Sequence, residues 1–281
     1  MSPELAAPEG LGEKQRALDR ILAGLESVVV AFSGGVDSSY LAVRAYHVLG
    51  RRALAVTADS ESLAGWQRSR ALELAAGFGF PHRLLRTREL ANPLYARNQA
   101  DRCYHCKSEL FGELLPLAAA EGYRHVAYGL IVDDLADFRP GQRAAREAGV
   151  RAPLAEAGLG KQELRVLSRE LGLPTWDQPA SPCLSSRVAY GVAVTGAVLR
   201  QVERAEDALR RLGFRELRVR HLGSGARVEI APDELARLRD PRLREAVERG
   251  VREAGYAEVV IDAQGYRRGR LNEALRVVTS T

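Results

Sequence analysis

Long apolar runs are missing from this 281-residue chain. No stretch approaches the roughly twenty residues a membrane-spanning helix needs, so no membrane partner is expected. Cysteine is sparse: three occur, and an odd count argues against a disulfide framework. The opening MSPELAAPEGLGEKQ lacks a basic start followed by an apolar core. It does not read as a secretion signal, and a cytoplasmic location is expected. Lysine is nearly absent: of 41 basic residues, only Lys14, Lys107 and Lys161 are not arginine. The net charge of +5 is therefore an arginine excess. Arginine and alanine are frequent enough together for a G+C-rich coding bias to explain it. The arginines also alternate with glutamates, as in LRQVERAEDALRRLGFREL, the pattern of solvated helix faces, so nucleic acid is not an expected partner. Internal repeats and low-complexity segments are missing too.

What remains is the composition of a soluble globular protein, 46% hydrophobic and 27% charged. Helical apolar spacing covers 12–26, followed by the short β-branched run SVVVAF, which reads as a buried strand. SSYLAVRAYHVLG continues as helix, RRALAVTAD as strand, LAGWQRSRALELAAGFG as helix and HRLLRT as a third strand. A loop with Pro93 precedes helical 106–121, the fourth strand RHVAYGLI, and the helix KQELRVLSRELGLP. Alternating strands and helices imply an α/β fold: a parallel sheet with helices on both faces. WDQPASPCLSSRVAYG, rich in Pro, Ser and Gly, is expected to be a loop, with a boundary near residue 190. Beyond it come a helix over 195–212, the strands RELRVRHL and ARVEIA, helical 232–250, and the strand AEVVID. The expected organisation is a nucleotide-binding domain over 1–190 and a smaller α+β domain over 191–281 for substrate binding or oligomerisation.

S-G-G-V-D-S, residues 33–38, lies between a buried strand and a helix. Glycines there let the backbone approach a phosphate and turn its N–H groups inward, and the helix adds its N-terminal dipole. The candidate phosphate-site residues are Ala31 at the strand end, Ser33, Gly34, Gly35, Asp37, Ser38 and Ser39. Asp37 would repel phosphate directly, so it is expected to hold Mg²⁺ or to cap the helix. This is not a Walker A loop, because no G-K-[ST] follows. It resembles the PP-loop of the ATP pyrophosphatase superfamily, where the loop holds the pyrophosphate that leaves as a substrate is adenylated. The strand end Ala58, Asp59 and Ser60 would then border adenine and ribose. Gly129, after the fourth strand, falls on the same carboxyl edge of the sheet.

Cys103 and Cys106 form C-Y-H-C, and Cys183 lies in S-P-C-L-S-S-R. Isolated cysteines are often buried small hydrophobes, but DRCYHCKSE is polar on both sides. The residues alone leave two metal readings open. One is zinc with His105 as a fourth ligand; the other is an iron–sulfur cluster with three thiolates and one open iron.

SGGVDSS, DDLADFRPGQRAAREAGVRAPL, KQELRVLSRELGLPTWDQPASPCLSSR, RELRVRHLGSGARVEI and GYRRGRLNE together resemble the ATP-dependent sacrificial sulfur transferases of the LarE family. The resemblance runs over nearly the whole chain. It implies adenylation of a carboxylate on a pyridinium mononucleotide, then replacement of AMP by sulfur to leave a thiocarboxylate, in making the nickel-pincer nucleotide. One branch of that family gives up the sulfur of a single cysteine at the position of Cys183. Another carries a 4Fe–4S cluster on three cysteines, and Cys103, Cys106 and Cys183 fit that branch. The implied cofactors are ATP, Mg²⁺ and 4Fe–4S; the implied partner is the small nucleotide, and a homo-oligomer is expected. A phosphate-bearing dicarboxylate needs cations. Arg218 and Arg220 alternate along one strand and share a face. Arginine forks suit phosphate and carboxylate, and Glu229 on the next strand is placed to orient one of them. Arg187 and Lys107, each beside a cysteine motif, are expected to stabilise charge on the acyl-adenylate or substrate. Arg267 and Arg270 are further substrate candidates. The alternatives are a tRNA thiolation enzyme, an amidotransferase making GMP or NAD, and a non-catalytic nucleotide sensor or iron store.

Overall fold

A computed structural model describes residues 10–135 and 140–267. In chain order the elements are α1 (Leu11–Leu25), β1 (Val28–Ala31), α2 (Val36–Leu49), β2 (Ala53–Asp59), α3 (Gly65–Phe78), β3 (His82–Arg86), α4 (Pro93–Ala96), α5 (Arg102–Ala120) and β4 (His125–Tyr128). There follow α6 (Val132–Leu135), α7 (Pro140–Glu147), α8 (Pro153–Glu156), α9 (Lys161–Glu170), α10 (Gly196–Arg211), β5 (Leu217–His221), β6 (Gly225–Ile230), α11 (Pro241–Glu253) and β7 (Glu258–Ile261). The chain divides into two compact units. Of the described residues, 10–88 with 103–135 and 140–181 form one, and 89–102 with 182–267 form the other.

The first unit holds a four-stranded sheet in the order β3-β2-β1-β4, with every pairing parallel. β1 is central and its four residues are all buried, which is why VVVA shows no polar alternation. Successive side chains go to opposite faces. Val28 and Val30 join a core with Leu18 and Leu22 of α1, Leu41 of α2 and Leu167 of α9. Val29 and Ala31 join a second core with Phe111 and Leu114 of α5 and Ala145 of α7. The expected α/β fold with helices on both faces is thus the one observed. Strand order runs outward one way through β2 and β3, then resumes on the other side of β1 with β4. That reversal puts the crevice at the carboxyl ends of β1 and β4, the place where open α/β sheets hold ligands.

In the second unit β5 and β6 are antiparallel and β7 joins β6 in parallel. Leu209 of α10 and Val247 and Val251 of α11 pack with Val219 and Val228 of the sheet. The stretch read as continuous helix over 232–250 is broken. Residues 235–239 form a 3-10 turn, Asp240 is extended, and α11 starts at Pro241. Proline disfavours helical backbone in the residue before it, and the Asp240 carboxylate instead caps α11 by accepting from the Arg242 N–H at 2.9 Å.

Candidate functional site

The chain leaves β1 at Ala31 and enters α2 at Val36 through a loop whose backbone is set by glycine. Gly34 has φ +70, a left-handed conformation that other residues adopt only with strain. Ser38 closes the loop: its Oγ accepts from the Ser33 N–H at 3.2 Å, lies 3.0 Å from Ser33 Oγ and donates to the Gly35 carbonyl at 3.2 Å. The Ser39 hydroxyl is buried in the first turn of α2 with no hydrogen-bond partner among the described residues. A buried donor without an acceptor is costly, and a phosphate oxygen is one acceptor that would satisfy it. Gly129 follows β4, and a Cβ there would come within 2.9 Å of the Ser38 nitrogen and 3.1 Å of the Asp37 carbonyl carbon. Only glycine lets β4 end this close to the start of α2. Donor set, glycines and helix terminus together fit a nucleotide triphosphate.

Asp37 makes no side-chain cap; Gly35 is the residue before α2, and no cap hydrogen bond is formed there. Instead both Asp37 oxygens take the Lys161 ammonium, at 2.8 and 3.0 Å. At the end of β2, Ala58, Asp59 and Ser60 are half-buried. Asp59 pairs with Arg68 at 3.1 Å, and Ser60 Oγ lies 3.0 Å from Ser62 Oγ. A small cleft beside the loop is lined by Ser33, Gly34 and Gly35 together with Trp66, Arg70 and Gln178. The Arg70 guanidinium lies 5.1 Å from the Trp66 ring centre.

Cys103 and Cys106 lie in the first turn of α5, not in the loop before a helix starting at 106. Three apart on a helix, the two thiols share a face. Cys103 is exposed and Cys106 half-buried, and two thiols on one helix face are donor chemistry that fits an iron–sulfur cluster. Tyr104 between them donates to Glu147 at 2.6 Å and stacks under Arg143 at 4.1 Å, tying α7 to the cysteine turn. The Lys107 ammonium lies 5.7 Å from the Phe111 ring centre. Cys183 belongs to the second unit. It is half-buried and precedes a 3-10 turn at Leu184–Arg187. No group of three potential ligands gathered for a metal ion is found among the described residues.

The second unit holds buried charge. Arg187 is 1% exposed, and its Nε and Nη2 donate to Glu206 at 2.8 and 3.1 Å. Its Nη1 donates to the Pro182 and Cys183 carbonyls at 2.5 and 3.1 Å. Arg187 thus fixes the backbone of the Cys183 turn. Burial pushes the Glu206 carboxyl up, but Arg187, with further charge from Arg210 and Arg218, outweighs it and holds the group at about 2. Desolvation and repulsion from Arg187 bring Arg218 down to about 10, and its guanidinium lies 4.8 Å from the Tyr266 ring centre. Arg220 donates to Glu229 at 2.9 Å and to the Ser186 carbonyl at 2.9 Å. Glu229 also accepts from Arg227 at 3.2 Å. The segment 89–102 braces this turn: Tyr95 Oη lies 2.6 Å from Ser185 Oγ, and Asn98 Nδ2 donates to the Ala189 carbonyl at 2.7 Å. Arg267 is exposed, and Arg270 lies outside the described residues.

Lys161 and Glu206 carry geometry that the motifs did not flag. Glu206 had a signal: Leu199, Val202, Glu206 and Leu209 follow helical core spacing, and all are buried. Lys161 had only its rarity in an arginine-rich chain.

No protein-family model matches the chain. An uncharacterized protein of Synechocystis is 45% identical over 94% of this chain and 99% of its own length. The pyridinium-3,5-bisthiocarboxylic acid mononucleotide synthase of Lactiplantibacillus plantarum is 37% identical over 94% of this chain and 96% of its own. An uncharacterized protein of Methanocaldococcus jannaschii is 25% identical over 86% of this chain.

Proposed function

The chain belongs to the LarE family of pyridinium-3,5-bisthiocarboxylic acid mononucleotide synthases, and we propose that it is a sulfur transferase that uses ATP to turn a carboxylate of a pyridinium mononucleotide into a thiocarboxylate. The observation that carries this reading is an end-to-end match to a named synthase, and the glycine loop with its unpartnered Ser39 hydroxyl supports it. The relatives do not favour the tRNA thiolation alternative.

In the proposed reaction a substrate carboxylate oxygen attacks the α-phosphorus of ATP. The bond from that phosphorus to the bridging oxygen breaks, and pyrophosphate leaves with the electron pair. A sulfide sulfur then attacks the carbonyl carbon of the acyl-adenylate, and AMP departs. Ser33, Gly34, Gly35, Ser38 and Ser39 would line the pyrophosphate end, where the Ser39 hydroxyl, which has no partner among the described residues, and the α2 terminus would stabilise its charge. Ala31, Ala58, Asp59, Ser60 and Gly129 shape the edge on which the nucleotide lies, and Asp37 is the carboxylate offered to Mg²⁺. Arg218, Arg220 and Glu229 form the substrate side of the proposal, with Arg267, Arg270 and Lys107 as further cations. Arg187 acts through the Cys183 backbone it grips. Cys103, Cys106 and Cys183 would hold a 4Fe–4S cluster, which when bound would supply the sulfide for this step. The proposed division of labour is ATP chemistry in 1–190 and substrate recognition in 191–281; cytoplasmic location and self-association are part of the same reading.

The test is stoichiometry. Anaerobic protein given ATP, Mg²⁺, sulfide and the pyridinium biscarboxylate mononucleotide is expected to release AMP and pyrophosphate in equal amounts with each thiocarboxylate formed. Thiocarboxylate made without AMP, or AMP made without the pyridinium substrate, overturns the reading.

A further inference from the structure

Lys161 is the first residue of α9, and side chains hold the backbone at this helix start. Its N–H donates to Asp133 Oδ2 at 2.9 Å. The Gly160 N–H donates to Glu163 Oε2 at 2.8 Å, and Glu163 Oε1 takes the Lys14 ammonium at 2.7 Å. A Cβ at Gly160 would come within 2.8 Å of Asp133 Oδ2, so a side chain there would displace the carboxylate that holds the Lys161 N–H. The base of the Lys161 side chain is therefore fixed, and only its flexible stem is free to re-aim. That stem now ends on Asp37, with side-chain exposures of 28% and 24% for the pair. The pair is part-buried but still reached by solvent, so an incoming anion can compete with Asp37 for the ammonium. Asp37 is also the wrong anion for the place. Loop N–H groups and the α2 terminus favour phosphate there, and Asp37 is the carboxylate that phosphate would meet.

Building on the ATP reading above, we propose that Lys161 is the cation for the pyrophosphate half of ATP, and that it leaves Asp37 for a phosphate oxygen as the nucleotide enters. Mg²⁺ takes over Asp37, so the loop is charge-balanced both before and after binding. As the bond from the α-phosphorus to the bridging oxygen breaks, negative charge grows on the leaving pyrophosphate. The Lys161 ammonium meets that charge and keeps its proton. Lysine suits the task better than arginine, because a point charge with three rotatable donors can change partners where a planar fork is committed to one geometry. That a chain with 41 basic residues carries lysine here, and at only two other positions, agrees with such a requirement.

The experiment compares wild type, Lys161→Met and Lys161→Arg with two ligands in Mg²⁺ buffer by calorimetry. AMP lacks the pyrophosphate, whereas α,β-methylene-ATP carries its equivalent and cannot be cleaved. Lys161→Met is expected to bind AMP like wild type but to bind the analogue about ten-fold more weakly, the loss of one charge-assisted contact. Its pyrophosphate release at saturating ATP is expected to fall about a hundred-fold. Lys161→Arg is expected to recover analogue binding more fully than turnover. A merely structural role would weaken AMP and the analogue alike, and that outcome, or no change with either, overturns the proposal. Wild-type protein that binds neither ligand would sink the ATP reading itself, and this inference with it.

Discussion

At the end of β1 the loop presents serine hydroxyls and bare glycine backbone and buries no charged side chain, whereas around Glu206 full side-chain charges are taken out of water. The loop is shaped by sterics: Gly34 supplies a left-handed turn and Gly129 a close approach of backbones. The second unit is shaped by electrostatics: Arg187, Glu206, Arg218, Arg220 and Glu229 are all buried. Such charges are costly singly and tolerable only as a set. A site of the first kind is broken by adding an atom, and one of the second kind by removing a charge.

The largest effect is therefore expected from Glu206→Ala. It strands Arg187, whose exposure is 1%. The cost is about 3–5 kcal/mol, read from urea unfolding, against a small change for Glu245→Ala, whose side chain on α11 is exposed. The same group makes the second unit sensitive to acid. Its folded carboxyl is held at about 2, below the ordinary 4.5. Its contribution is thus present above pH 4.5 and is lost as pH falls toward 2. Integrated, this is on the order of 3 kcal/mol. Acid unfolding followed by fluorescence in wild type and Glu206→Gln checks it: the variant should lose less stability over that window. An identical acid profile would mean that Glu206 is not the group responsible.

Arg218→Ala and Arg220→Ala come next. Each is expected to weaken binding of the pyridinium nucleotide by about 1.5–3 kcal/mol, the worth of a charge-assisted hydrogen bond, while ATP affinity changes far less. Equal losses for both ligands would take these arginines out of the substrate side. Gly129→Ala sharpens the contrast from the other unit. Its Cβ meets backbone at 2.9 Å, an overpacking that costs about 1–3 kcal/mol. ATP binding should suffer while the acid profile stays that of wild type. Gly77→Ala, with open space around it, is the control.

The two regions also differed in how legible they were. The loop lies in six consecutive residues, and its glycines, the buried strand before it and the helix after it all leave local marks in the sequence. The sheet of the first unit was legible for the same reason: strands such as VVVA and ALAVTAD are short apolar runs between helices. The charge cluster joins residues far apart, and sequence shows an arginine without showing its burial. Arg218 and Arg220 were found because strand alternation is local, but the pairing of Arg187 with Glu206 across α10 was not. The break at Asp240 was missed although Pro241 announces it. Lys161 lies 124 residues from Asp37, and no local pattern links them.

The smallest change in stability is expected at the cysteines, and there the chemistry is most exposed to test. Cys103 is exposed in the first turn of α5 and packs in none of the cores formed by the described residues. Cys103→Ser should therefore shift stability of the metal-free protein by less than about 0.5 kcal/mol. Any large loss of activity must then come from sulfur chemistry and not from folding. Two mechanisms divide on what that loss looks like. If Cys183 gives up its own sulfur, a single thiol suffices, each chain makes one thiocarboxylate, and Cys183 ends as dehydroalanine. Cys103 and Cys106 would then have no task, and Cys103→Ser would still turn over once. If the three thiolates hold a cluster, each is needed: Cys103→Ser, Cys106→Ser and Cys183→Ser should each lose iron and product together. Wild-type protein given sulfide should then make several thiocarboxylates per chain, with Cys183 intact by mass. The shared helix face of Cys103 and Cys106 favours the second outcome, because side-by-side thiols on a polar helix start are poor packing residues and good ligands. One product per chain, with activity surviving in Cys103→Ser, would restore the single-cysteine mechanism.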